Sequence, residues 1–359
     1  MARRNWAVLA MIPDLVMRGV RTKVSCKMTV SIRLRESVER LLLLTCLLFC
    51  KLPASAGPPA DDSESYVISR DVSLVILPVT VIDRERQFVS GLGASNFRIY
   101  DQGRPQTLTL FEREDVPVTA GLVVDHSGSM YARKMEVIEG AAAFVQASNP
   151  QDEEFVVNFS DRARLGLPPD APFTSNIEDL KDALSAASAT GMTALYDAVA
   201  TALDHLRNAH KPKQTLILIT DGEDNASKHD LNQVLRMAQT LNVVIYTVGL
   251  FDQYKASKTA LDPYVARRNK LLFDEDKRVL TMFARETGGA AYFPNNFDEV
   301  VRVCQQIATD IRHQYVLGYS PTDDGRGGFR KVNVRVVGSG QEKLVVRTRT
   351  GYLLPAKHH

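Results

Sequence analysis

The chain has 359 residues, and its 45% hydrophobic content is enough for at least one well-buried core. Its formal net charge is +2, but ten Lys and Arg and only three Asp and Glu precede residue 57. The rest of the chain carries 34 basic and 39 acidic side chains. That acidic balance excludes a protein that binds nucleic acid through a basic face.

Residues 1–56 have the layout of a secretory signal region. A basic approach leads into an apolar run, Leu41–Cys50, and the small residues Ala54–Ala56 follow. We expect cleavage after the last of these and export to the periplasm, the cell envelope or the medium. The run has about half of the ~20 apolar residues that a spanning helix needs, so no integral membrane span is expected in the mature chain. Met28 begins a better-proportioned leader and is an alternative start.

Cysteine usage gives no disulfide framework. Three of the four cysteines fall in the signal region, and Cys304 alone remains in the mature chain. Cys304 lies in "FDEVVRVCQQIATDI", whose apolar residues recur at helical spacing, so we expect it to pack in a core.

Two segments precede the first α/β pattern. Residues 57–71 carry prolines, acids and serines without periodicity, which is typical of a flexible linker. Residues 72–116 contain "VSLVILPVTVID" and "NFRIYDQGRPQTLTLFERE", which read as strands separated by turns. We therefore expect an N-terminal β-rich segment over 72–116.

Residues 117–313 alternate short apolar strands with amphipathic helices. The strand candidates are "AGLVVD", "EFVVNFS", "TLILITD", "VVIYTVG" and "AAYF". The helix candidates are "KMEVIEGAAAFVQAS", "IEDLKDALSAAS", "ALYDAVATALDHLRNA", "HDLNQVLRMAQTL", "KRVLTMFARET" and "FDEVVRVCQQIATDI". This alternation predicts an α/β fold: a doubly wound, mostly parallel, Rossmann-like sheet with helices on both faces.

β character returns in residues 314–355, with "QYVLGYS", "FRKVNVRVVG" and "EKLVVRTRTGYLL". In a doubly wound domain the first strand starts, and a last antiparallel helix ends, at the same edge of the sheet. The two flanks should therefore emerge close together. We expect 314–355 to pair with 72–116 as a small β-sandwich that carries the α/β domain as an insertion.

Oxygen-bearing side chains collect where the predicted strands end. "GLVVDHSGSM" delivers Asp125, Ser127 and Ser129, "ATGMTALYDA" places Thr193 at the start of a helix, and "LILITDGEDN" ends a strand in Asp221. Doubly wound sheets bind ligands beyond the carboxyl ends of their strands. Carboxylates and hydroxyls without Cys or clustered His suit Mg²⁺, Mn²⁺ or Ca²⁺ and exclude structural zinc.

The strings "DHSGSM", "GMT" and "TDGEDN", in this order, resemble the metal-ion-dependent adhesion site of von Willebrand factor A domains. That resemblance covers about residues 117–313. It implies that Ser127, Ser129 and Thr193 ligate the ion, and that Asp125 and Asp221 contact it directly or through water. The flanking segments also resemble secreted A-domain-related proteins of Acidobacteria.

This resemblance implies a binding or adhesion module, not an enzyme, in which a protein partner offers an Asp or Glu carboxylate to the ion. Two alternatives stay open at this point. A metal-dependent hydrolase would use the ion to activate water, although the sequence has no GxSxG elbow and no phosphate loop. A structural envelope component would use the ion only to brace its loops.

Several other polar residues lie close in sequence to the predicted ligands. We expect His126 to be an exposed loop residue, and Glu223 and Asp224 to be solvated acids. Asp197 either holds a water molecule that contacts the ion or has a surface or capping role. Residues 250–276 form an unusually long connection, which indicates either a ligand platform or a solvated loop with a helical turn.

Overall fold

The computed structural model describes residues 74–113, 115–187, 190–251, 263–322, 327–338 and 344–354. These residues belong to one compact unit, Arg70–His359. The predicted signal region and linker, and residues 252–262 of the long connection, lie outside the described residues. Among the described residues, no helix is both long and apolar enough to cross a bilayer.

A six-stranded sheet forms the centre of the α/β part. In spatial order its strands are β10, β9, β8, β5, β6 and β7, and every neighbouring pair is parallel except β6 and β7. The strand bounds are β5 Val118–Asp125, β6 Glu153–Phe159, β7 Ala163–Leu165, β8 Lys213–Thr220, β9 Val244–Gly249 and β10 Ala291–Tyr292. All eight residues of β5 and all six of β9 are buried, as expected for strands covered on both faces.

Six α-helices accompany the sheet in the described residues. They are α1 Lys134–Ala147, α2 Ile177–Ser185, α3 Leu195–His205, α4 Leu231–Leu241, α5 Pro263–Thr287 and α6 Phe297–Arg312. Helices α1, α2 and α6 form one contacting group, and α3, α4 and α5 form another. Their buried faces join the strands in one large core, which includes Cys304 as expected.

The flanking segments form two four-stranded antiparallel sheets. One has the order β13-β1-β11-β4 and the other β14-β12-β2-β3. Their bounds are β1 Val75–Ile82, β2 Phe97–Asp101, β3 Arg104–Gln106, β4 Leu110–Glu112, β11 Tyr315–Tyr319, β12 Gly328–Val336, β13 Val345–Arg347 and β14 Gly351–Leu354. Each sheet mixes strands from before β5 with strands from after α6.

A second core lies between these two sheets. Leu77, Leu317 and Tyr319 from the first sheet pack in it with Ile99 and Val334 from the second. The prediction of an α/β fold with a doubly wound, mostly parallel sheet and a flanking β-sandwich is confirmed.

Two elements differ from the sequence prediction. Helix α5 begins at Pro263, about four turns before the predicted "KRVLTMFARET". In that added part Tyr264, Leu271 and Leu272 are exposed. The sequence there has no pattern of a buried helical face, so the first turns of the helix were not predicted. The three-residue strand β7 was not predicted either, because it is short and its Arg164 and Leu165 are exposed.

Candidate metal centre

The site is built at the point where the order of strands reverses. From β5 the chain crosses to β6 on one side of the sheet and later to β8 on the other. The loops that follow β5 and β8 therefore diverge around one crevice at the carboxyl edge, where doubly wound folds bind ligands. Asp125 ends β5, and Asp221 follows β8 directly.

Asp125 is 1% exposed and its carboxylate is held on both oxygens. Its Oδ1 accepts a 2.8 Å hydrogen bond from the backbone N–H of Ser127. Its Oδ2 accepts a 2.6 Å bond from the hydroxyl of Thr220, the last residue of β8. The Thr220 hydroxyl in turn accepts from the N–H of Gly222 at 3.0 Å. Asp125 is thereby tied to the loop that carries Asp221.

The two serines lie in the turn that opens the next helix. Ser127 is buried and Ser129 is exposed, and their Oγ atoms are 3.2 Å apart. Between them, the N–H of Gly128 donates to the carbonyl of Gly191 at 3.3 Å. The turn after β5 is therefore fastened to the loop that carries Thr193.

Thr193 is buried and its backbone is fixed by the loop after β8. Its N–H donates to Oδ1 of Asn225 at 2.8 Å, and its carbonyl accepts from the N–H groups of Asn225 and Ala226 at 2.9 and 3.0 Å. The structure thus joins the three loops that bear Asp125, Ser127, Ser129, Thr193 and Asp221.

Gly222 allows helix α5 to approach this edge. Its φ of +88° lies in the left-handed region, and a Cβ there would lie 3.0 Å from Cβ of Asp276. Asp221, Glu223, Phe251, Phe273 and Asp276 line a depression beside the site. The N-terminal half of α5 therefore lies next to the candidate centre, although residues 252–262 are outside the described part.

The expectation of a merely solvated Asp224 is wrong. Its Oδ1 accepts from the Ser227 hydroxyl at 2.6 Å and from the Tyr196 N–H at 3.3 Å, at the start of α3. Asp197 is a capping residue for the same loop, because its Oδ1 accepts from the N–H groups of Lys228 and His229.

The expectation for His126 is also wrong. This side chain is 4% exposed, and its Nε2 is 2.9 Å from Oδ1 of Asn158. An amide oxygen only accepts, so Nε2 carries the proton. Burial lowers the pKa of His126, which favours the uncharged ring.

Two carboxylates repel each other at the candidate centre. Burial raises the pKa of Asp125 to about 6, and the nearby charge of Asp221 adds to the rise, while the bonds from Thr220 and Ser127 oppose it. A bound cation would offset both the desolvation and the repulsion between the two carboxylates. The electrostatics of the residues themselves therefore suit a cation.

The donor set determines which cation fits. Two carboxylates and three hydroxyls offer only oxygen, which divalent Mg²⁺, Mn²⁺ and Ca²⁺ prefer. Within the described residues, no three His, Cys, Asp or Glu side chains are grouped to hold a metal. A metal site at this edge of the sheet must therefore use the hydroxyls as well as the two carboxylates, together with water or partner groups. The five residues present fit a coordination shell of that kind.

Comparison with known families agrees with this geometry. Residues 121–223 match the model of the von Willebrand factor type A domain. Over this stretch the chain is therefore similar to the von Willebrand factor type A domain, and we refer to the α/β part as the A domain. The matched stretch runs from β5 past the end of β8 and includes all five candidate ligands.

Three proteins similar to this chain are distant from it in sequence. An uncharacterized protein of Borreliella burgdorferi is 29% identical over 107 residues, which is 29% of this chain and 31% of that protein's length. A von Willebrand factor type A structure from Catenulispora acidiphila is 14% identical, with a TM-score of 0.44 and coverage of 72% and 71% of the two chains. The A domain of the type V pilus tip protein Mfa5 of Porphyromonas gingivalis is 13% identical, with a TM-score of 0.40 and coverage of 55% and 97%.

Proposed function

We propose that this protein is an exported binding module whose A domain holds a divalent cation and, through it, an acidic group of a protein partner. The observation that supports the proposal is that hydrogen bonds join the three loops that bear the two buried carboxylates and the three hydroxyls. Mg²⁺ is the ion we favour, with Mn²⁺ or Ca²⁺ as substitutes.

The chain's own residues hold and orient the site. Ser127, Ser129 and Thr193 supply the hydroxyl ligands, and Asp125 and Asp221 supply negative charge directly or through water. Thr220 and the backbone of Ser127 fix the Asp125 carboxylate, so little side-chain freedom is lost on binding. An ion held by these residues would act as a Lewis acid toward an outside carboxylate.

Ligand access and selectivity come from the surrounding surface. Ser129 is exposed, whereas Asp125, Ser127 and Thr193 are buried, so a partner reaches the ion from the Ser129 side. Tyr131, Met135 and Met192 are exposed near these ligands in sequence and offer apolar contacts. We propose binding and not catalysis, because the nearby base His126 is buried against Asn158.

Export is part of the proposal and follows from the N-terminal sequence. The apolar run and the small residues at 54–56 are typical of a cleaved leader. We expect the mature protein in the periplasm, the envelope or the medium, with Gly57 as its first residue. N-terminal sequencing of the exported protein checks this.

The metal assignment is tested by thermal unfolding of residues 57–359 in EDTA and in Mg²⁺. At a hundredfold excess over the dissociation constant, the ion should add about 2.7 kcal/mol of stability to the wild type. Ser129→Ala should lose most of this gain and unfold in EDTA like the wild type, because Ser129 is exposed. Ser90→Ala removes an exposed hydroxyl from the sandwich and should keep the full gain. Equal Mg²⁺ shifts in all three proteins would refute the assignment.

The partner chemistry is tested with peptides selected for binding in Mg²⁺. We expect each selected peptide to contain an essential Asp or Glu, and its replacement by Asn or Gln should abolish binding, as EDTA should. Peptides that bind equally well after that replacement would contradict a carboxylate contact, even if the metal assignment holds.

A further inference from the structure

A second cavity lies at the opposite end of the central sheet from the candidate metal centre. It has a volume of about 220 Å³. Lys213, the first residue of β8, lines it, whereas Thr220 at the other end of β8 bonds to Asp125. Seven steps along a strand separate the two ends by roughly 23 Å, so the cavity is distinct from the metal centre.

The walls of the cavity are mainly aliphatic. They come from both the sandwich and the α/β part, as Ile76, Leu110, Val118, Val244 and Val316. The volume is below the roughly 300–1,000 Å³ of pockets for drug-sized ligands, so it suits a small molecule.

One ammonium group lies among these walls. The Nζ atom of Lys213 is buried and has no hydrogen-bond partner. An ammonium has three donors, and burying it unpaired is costly. Burial accordingly lowers the pKa of Lys213. The folded protein therefore has a desolvated ammonium donor beside an apolar cavity. A methionine of similar length at this position would destabilise the fold less, because it carries no charge to desolvate.

The carboxylates around Lys213 do not satisfy it. The charges of Asp115, Asp152 and Glu112 oppose the fall in the pKa of Lys213, but none of these carboxylates is hydrogen-bonded to its Nζ. Asp115 pairs with Arg312, and both oxygens of Asp152 accept backbone N–H groups. Glu112 also lines the cavity, but it is exposed at the end of the edge strand β4. These acids also disfavour a doubly charged ligand such as phosphate, while one negative charge bonded directly to Nζ is compatible with them.

We propose that this cavity binds a small aliphatic monocarboxylate, such as a medium-chain fatty acid, with its carboxylate on Nζ of Lys213 and its chain against the aliphatic walls. The charge-assisted bond supplies direction, and burial of the chain supplies most of the affinity. The two β-rich flanks and the A domain would then share one ligand.

Binding is tested with octanoate, used below its micelle concentration, on residues 57–359. Octanoate should raise the unfolding temperature of the wild type, and octan-1-ol, which has the same chain without the charge, should raise it by much less. Nuclear Overhauser contacts from the octanoate chain to methyl groups of Val316 and Ile311 should place it in the cavity. Equal shifts from both compounds, or octanoate contacts elsewhere, would overturn the proposal.

Lys213→Met keeps the length of the side chain and removes the charge. This variant should be at least as stable as the wild type without ligand, and it should lose the preference for octanoate over octan-1-ol. Lys331→Met changes an exposed lysine on β12 and should retain that preference. Retention of the preference in Lys213→Met would also overturn the proposal. If Lys213→Met does not fold, the proposal is still tested in the wild type, by the difference between the octanoate and octan-1-ol shifts and by the Overhauser contacts to the methyl groups.

Discussion

Buried carboxylates distinguish the two ends of the central sheet. Asp125, at the carboxyl edge, has hydrogen bonds on both oxygens and the candidate cation ligands around it. Glu154, at the start of β6, is 2% exposed, and its Oε2 has no hydrogen-bond partner. Burial raises the pKa of Glu154 to about 8, and the charges of Asp152 and Glu153 raise it further. The first carboxylate can be neutralised by a ligand, whereas the second is neutralised by a proton.

Glu154 should make stability fall as the pH rises. The unfolded chain releases this proton near pH 4.5, but the folded chain holds it to about pH 8. The contribution of protonated Glu154 to the free energy of unfolding is therefore fully present below about pH 4.5 and is lost as the pH rises through 8. Glu154→Gln should match the wild type in unfolding free energy at acid pH and exceed it at pH 9, by up to about 5 kcal/mol.

Chemical denaturation across this pH range checks the expectation. Glu139→Gln, at an exposed position of α1, should follow the wild type at every pH. A constant difference between Glu154→Gln and the wild type from pH 5 to pH 9 would show that the Glu154 carboxyl does not titrate as its burial requires.

Elements were predictable where an apolar pattern dictated them. The buried strands β5, β8 and β9 and the amphipathic helices α4 and α6 follow directly from their periodicity. The first turns of α5 carry exposed apolar residues, and that periodic signal is missing there. His126 was misjudged because the sequence does not show that Asn158 of the neighbouring strand reaches its ring.

At the candidate site, too, only the features with a local sequence pattern could be predicted. Its five oxygen ligands could be named in advance, since strand ends and loop order can be read from the sequence. The groups that hold the loops, Thr220, Asn225 and Asp224, form long-range hydrogen bonds that no local pattern reveals.

The connection from α5 to β10 depends on a close backbone approach. A Cβ at Gly289 would lie 2.1 Å from the carbonyl oxygen of Ile245 in β9. Gly289→Ala must therefore displace backbone, and we expect a loss of about 3 kcal/mol or more in unfolding free energy. Urea denaturation measures this loss, and Gly93→Ala is the matched control. A Cβ at Gly93 would have its nearest neighbour 3.9 Å away, so this substitution should change the unfolding free energy little. A near-neutral Gly289→Ala would mean that α5 and β9 shift apart freely.

At the scale of the whole molecule, one buried ion pair joins the C-terminal flank to the A domain. Arg347 of β13 donates from Nη2 to Oδ2 of Asp310 on α6 at 2.5 Å. Asp310 is 1% exposed and also accepts bonds from Tyr292 and Gln306. The sandwich and the α/β part should therefore unfold as one cooperative unit, because separating them would leave this carboxylate without its cation.

Removing Arg347 tests that coupling. Arg347→Met leaves Asp310 buried and charged without a cation, so we expect a loss of about 3–5 kcal/mol in unfolding free energy. Adding Asp310→Asn removes the uncompensated charge and should restore at least half of the loss, a coupling that only paired residues show. Arg335→Met, at an exposed position on β12, should change little. Calorimetry should show one transition in the wild type, and two separate transitions there would contradict a shared folding unit.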